Sequence, residues 1–115
     1  MSTFAYFNVT TVAVTTLSAI ETVTSTNAAQ ALKGSPKCLA MCNRDASGDE
    51  CIVDLYLENS ASTSTVYILH DALIPGGSTL VLEKPELNFD STIYALKFKL
   101  TSVAATQLVD IKLEY

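Results

Sequence analysis

Tryptophan is absent from this chain, and histidine occurs once, at position 70. A single imidazole excludes zinc sites built on two or three histidines. It also leaves few ways to pair a nucleophile with a general base. No G-x-S-x-G, H-E-x-x-H or P-loop pattern occurs. The short Pro75-Gly76-Gly77 stretch cannot cradle a phosphate, so no enzymatic activity is expected. Charge is scarce as well: Asp, Glu, Lys and Arg make up 17% of the 115 residues, against about 25% in ordinary domains. Seven basic residues face twelve acidic ones, for a net charge of −5. Phosphate-gripping surfaces carry the opposite sign, so nucleic acid is not an expected partner. Long apolar runs are also missing. Thr, Ser or a charge interrupts them repeatedly, whereas a spanning helix needs about 20 apolar positions. No membrane contact is expected. The first residues, Met-Ser-Thr-Phe-Ala-Tyr-Phe, have neither the basic nor the compact apolar region of a signal peptide, which predicts use without Sec export.

Hydroxyl residues are abundant instead: 14 Thr and 11 Ser. With Val, Ile and Tyr they make a strand-favouring mixture. Apolar residues reach 49%, enough to argue against disorder and to fill one core in a single domain spanning residues 1–115. Residues 4–24 read as one long or two shorter strands, and 25–35 as a loop that holds at most one helical turn. Strands follow at 38–43, 51–58, 66–70, 79–83, 92–100 and 108–114, separated by Gly-, Pro- and Asn-containing turns. The last two are the clearest. Tyr94, Leu96, Phe98 and Leu100 share one face, with Lys97 and Lys99 on the other. Val109, Ile111 and Leu113 alternate with Asp110, Lys112 and Glu114. Seven or eight strands at this spacing predict an all-β, antiparallel sandwich of jelly-roll type. The expected core is Val53, Leu55, Leu57, Leu80, Leu82, Tyr94, Leu96, Phe98, Val109, Ile111 and Leu113.

Three groups of residues carry chemistry in principle. If residues 43–50 close a hairpin with Cys42 opposite Cys51, then Cys38, Cys42 and Cys51 share an apolar face with Ala40, Val53, Leu55 and Leu57. Reduced cysteines that only pack are the expected state there. A Cys42–Cys51 disulfide and a zinc site of Cys38, Cys42, Cys51 and His70 are the alternatives, although C-x3-C-x8-C lacks the paired knuckles of structural zinc sites. Asp45, Ser47, Asp49 and Glu50 place oxygens at the spacing of the start of a calcium loop, but no Glu closes it, so a solvated turn is expected. His70-Asp71 resembles a dyad in sequence only, because neighbours on a regular strand point to opposite faces. No metal or other cofactor is therefore expected.

The same hairpin puts Leu39, Met41, Ile52 and Tyr56 on its second face. A sandwich has one interior, so a second apolar face predicts a contact with another subunit, the alternative being cover by a loop or by the N-terminal arm. Phe4, Tyr6 and Phe7, in a possible extended arm over residues 1–10, strengthen that expectation. The absence of Trp, and of clustered aromatics outside this arm, weighs against a carbohydrate-binding module.

The stretch from Tyr67 to Leu82, with its Ile74-Pro75-Gly76-Gly77-Ser78-Thr79-Leu80-Val81-Leu82 corner, resembles an I-P-x-G-(S/A/T)-T-L-V-L pattern in small virion structural proteins of tailed bacteriophages. The apolar run Cys38–Asn43, the Val53 to Leu57 strand and the closing strands at 94–100 and 109–114 are similar too, as is Asn8-Val9-Thr10-Thr11. The resemblance implies a non-enzymatic building block of a virion assembled in the host cytoplasm. The leading role it implies is that of a capsid decoration (cement) protein that stabilises the shell, although the resemblance does not fix the place in the particle. It implies other virion proteins as partners, the major capsid protein or neck and tail proteins, and a homo-oligomer, most simply a trimer. A neck, tail or fibre-attachment component is the alternative within that class. A carbohydrate-binding or adhesin-like module is the alternative outside it.

Overall fold

A computed structural model describes residues 3–22, 34–45, 48–62, 64–102 and 108–115. Eight strands run β1 (Phe4–Val9), β2 (Thr15–Ser18), β3 (Cys38–Asn43), β4 (Cys51–Asn59), β5 (Thr65–Ile74), β6 (Thr79–Glu83), β7 (Tyr94–Ser102) and β8 (Val109–Glu114). Lys84-Pro85-Glu86 ends β6 as expected. Pro85 stands in the first turn of α1 (Lys84–Leu87), where its missing N–H costs no hydrogen bond. The expected loop and helical turn at 25–35 fall mostly outside the described residues, as does most of the loop expected at 101–107.

The pairing follows one rule. β1 lies against β8, β2 against β7, β3 against β6 and β4 against β5, all antiparallel. The chain is thus one long ribbon, first half against second half, wound on itself. Winding adds the β3–β8 and β4–β7 pairs and yields two four-stranded sheets, β1-β8-β3-β6 and β2-β7-β4-β5. That order is the jelly roll, so the expected all-β sandwich is what forms.

One apolar cluster fills the space between the sheets. Leu39, Met41, Val53, Leu55, Leu96, Phe98, Leu100, Val109 and Leu113 are all 0% exposed. Most of the expected core is there, while Leu80, Leu82 and Tyr94 pack on its rim.

The expected hairpin between β3 and β4 does not form. The two strands sit in different sheets, because β3 takes β6 and β8 as neighbours. The consequence reaches several expected sites. Leu39 and Met41 point inward and are fully buried, so they are core and not a subunit contact. Their neighbours Cys38, Ala40 and Cys42 face outward and are half-buried. The arm expected over residues 1–10 is no free arm either. From Phe4 to Val9 it pairs residue for residue with β8.

Candidate functional site

The outer face of the β1-β8-β3-β6 sheet is built from alternate residues, in cross-strand rows. Tyr6, Lys112, Ala40 and Val81 form one row, and Asn8, Asp110, Cys42 and Thr79 the next. Tyr6 is 70% exposed and Phe4 43%. Their rings stack at 6.5 Å between centroids, and the Lys112 ammonium lies 5.0 Å over Phe4. Asn8 donates a hydrogen bond to Asp110, which also pairs with Arg44 at 3.3 Å. A shallow depression of about 310 Å³ opens between Tyr6, Asn8, Ala40, Cys42, Asp110 and Lys112. Phe7 lies on the other side of β1 and packs against the core. It borders a cleft of about 370 Å³ with Ala5, Leu17, Ile20 and Tyr115, where the sandwich opens between β1 and β2.

β1 is the first strand of its sheet, and its far edge pairs with no strand among the described residues. Sheet edges invite pairing with other chains unless a charge, a proline, a bulge or shortness prevents it. The other three edges carry such devices. β6 ends in Glu83 ahead of Pro85, β2 has four residues and a register shift, and β5 is bulged. Phe4–Val9 has no charge and no proline.

The outer face of the second sheet holds Ile52 and Tyr56, both half-buried. Tyr56 lies opposite Tyr67, with ring centroids 5.6 Å apart. The Tyr67 ring meets the His70 imidazole at 4.4 Å. Aromatic rings therefore do cluster away from the N-terminal segment. Burial pushes the Tyr56 phenol upward, with Glu58, Tyr67 and Asp54 adding to the shift.

His70 and Asp71 do not point to opposite faces. Val53 lies opposite Ala72 and Leu55 opposite Leu69, so the two residues His70 and Asp71 together oppose Asp54. This is a β-bulge, and bulges re-aim side chains. Asp71 takes φ 51°, a left-handed conformation that Asp tolerates better than most residues. Asp54 Oδ1 accepts the Asp71 backbone N–H at 2.8 Å and meets His70 Nδ1 at 3.1 Å. His70 Nε2 faces Asp71 Oδ2 at 3.5 Å. Strict period-2 reading hides this cluster, and only the unpaired extra residue creates it.

The expected cysteine sites are not assembled. Cys38 and Cys42 face outward from one sheet, Cys51 is in the core, and His70 is on the outer face of the other sheet. Neither the shared apolar face, the Cys42–Cys51 cross-strand bridge nor the four-ligand zinc set has the required geometry. Burial, with the nearby Asp45 charge, pushes the Cys51 thiol upward. In the acidic turn Ser47 lies outside the described residues. Asp45 is buried while Asp49 and Glu50 are exposed, and these three do not gather into a ligand group.

Asn43 is a polar residue that the chemical reading passed over. It is 0% exposed. Its amide donates to the carbonyls of Asp49 and Ile74, both at 2.9 Å, and its Oδ1 accepts from Asp45 N at 3.1 Å. The side chain thus ties the loop between β3 and β4 to the end of β5, while the Asn43 backbone bonds Gly77 and Ser78 in the turn after it. Gly77, at φ 76°, takes the left-handed position that its turn requires. A side-chain carbon on Gly76 would collide with the Gly48 backbone. No protein-family model matches this chain, and no curated protein or solved structure matches it either.

Proposed function

We propose that this chain is a non-enzymatic structural protein of a bacteriophage-type virion, a capsid decoration protein that binds and stabilises the shell as a homo-oligomer. The observation that carries the reading is β1, among the described residues the one sheet edge with neither charge, proline, bulge nor shortness to protect it. A strand from a neighbouring subunit added there gains main-chain hydrogen bonds. Its alternate side chains then fall on Phe4 and Tyr6 outside and in the cleft beside Phe7 and Leu17 inside. The sequence resemblance supplies the class of partner, and the jelly-roll topology is compatible with it. Ile52 and Tyr56, on the opposite sheet, remain secondary contact candidates. A trimer needs β1 of one copy to meet a different surface of the next, whereas β1 meeting its own image closes a dimer.

The test is mass spectrometry of particles purified from the virus that encodes the chain, with Tyr6→Glu beside wild type. Many copies per particle are expected, together with reduced occupancy for Tyr6→Glu at unchanged thermal stability of the free protein. Absence from particles refutes the reading. A few copies located at the neck or tail refute decoration and leave the alternative role there. The Tyr56–Tyr67 ring pair favours one other reading, a glycan-binding face, which glycan-array binding lost in Tyr67→Ala would support.

A further inference from the structure

The cluster on β4 and β5 has a chemistry that shell binding does not use. Asp54 is only 7% exposed although it sits on an outer sheet face, because His70 and Asp71 cover it. A buried carboxylate needs hydrogen bonds and a compensating charge. Lys99 lies opposite Asp54 on β7, yet among the described residues no ion pair joins them. Two carboxylates converge instead on one imidazole. One donor atom from each of Asp54, His70 and Asp71 lies within 4.8 Å of the others.

We propose that Asp54, His70 and Asp71 bind one divalent transition-metal ion of the zinc class. Zinc bonds of about 2.0–2.1 Å put tetrahedral donors roughly 3.3 Å apart, and His70 Nδ1 and Asp54 Oδ1, at 3.1 Å, already stand near that spacing, whereas Asp71 Oδ2 now meets the other ring nitrogen, Nε2, at 3.5 Å. One imidazole nitrogen serves as ligand, and a side-chain rotation of Asp71, 63% exposed, completes the set. One imidazole with two carboxylates suits Zn²⁺ and its neighbours better than Ca²⁺ or Mg²⁺, which prefer all-oxygen shells. The surroundings hold these ligands in place. The Asp71 N–H fixes Asp54 Oδ1, and the Tyr67 ring packs on the imidazole, in the manner of groups that orient metal ligands from outside the coordination shell. The side chain of His70 is 58% exposed, so the remaining coordination positions open to water.

His70 is the sole histidine, and its ring NMR signals therefore report on this site alone. ZnCl₂ titrated into the full chain should move them along a one-site curve, with one equivalent of zinc retained after dialysis. His70→Ala and Asp71→Asn should each weaken retention at least about tenfold. Asn accepts the left-handed backbone at position 71, so the second variant keeps the bulge, and circular dichroism checks the fold of both. A Cys38→Ser/Cys42→Ser variant should bind as wild type, and its Co²⁺ complex should lack thiolate charge-transfer absorption. Unmoved ring signals at millimolar zinc overturn the proposal. So does undiminished retention in His70→Ala, or retention lost with the two thiols.

Discussion

Replacing Asn43 with Ala should destabilise the fold far more than its place at the end of a strand suggests. The substitution removes three side-chain hydrogen bonds and takes the Asn43 partner away from the Ile74 carbonyl and the Asp45 N–H in buried positions. An unsatisfied buried group costs about 1–3 kcal/mol. Taking about 1–2 kcal/mol for each of these two groups and about 1 kcal/mol for the partly buried bond gives about 3–5 kcal/mol, a large share of the 5–15 kcal/mol typical of a whole domain. In urea, with m about 2 kcal/mol/M, the midpoint should fall by roughly 1.5–2.5 M at unchanged m. The melting temperature should drop by roughly 12–20 °C, at about 4 °C per kcal/mol. Asn43→Asp separates the roles of the two amide ends. It keeps the acceptor for Asp45 N but turns a carboxylate toward two carbonyls. At neutral pH it should be at least as unstable as Asn43→Ala, and it should recover in part as acid protonates the introduced carboxyl. A loss below about 1 kcal/mol for Asn43→Ala, or no pH dependence in Asn43→Asp, refutes the idea that this side chain ties the loop after β3 to the end of β5.

Phe98 is fully buried between the sheets, and Phe98→Ala should cost about 3–5 kcal/mol by equilibrium unfolding. A thiol reagent should find Cys38 and Cys42 in the native protein well before Cys51, and all three after denaturation under non-reducing conditions. Equal rates for the three would contradict the burial of Cys51. The Cys51 thiol and the Tyr56 phenol are both pushed upward in the fold. Each group therefore holds its proton longer when folded than when unfolded. Each contribution to stability is complete below that group's ordinary value, the thiol's for Cys51 and the higher phenol value for Tyr56, and is lost as pH rises through its raised value in the fold. Urea midpoints should fall above about pH 8.5, and less steeply in Cys51→Ala after allowing for its lost packing.

Alternation alone made the strand content, the class of fold and much of the core legible. In β7 and β8 every second side chain is apolar, so one face of each must be inward whatever the strands pair with. Phe98, Ile111 and Leu113 are buried for that reason. The turn at Pro75-Gly76-Gly77 was legible from local chemistry, since its left-handed Gly77 demands glycine, whereas the close approach of Gly76 to Gly48 belongs to the tertiary structure. Pairing was not legible. β3 and β4 are neighbours in sequence but belong to opposite sheets, because the ribbon pairs first half with second half over separations that no local signal reports. That one fact turned Leu39 and Met41 inward, put Cys38 and Cys42 outside, and separated the four residues of the alternative zinc set. The aromatic N-terminal segment stood out by composition, yet its role as an exposed edge depends on β8 being its partner. The bulge at Asp54, His70 and Asp71 is a matter of register. A single extra residue on β5 reverses the side of Asp71, and only the count of residues between paired positions on two strands reveals it.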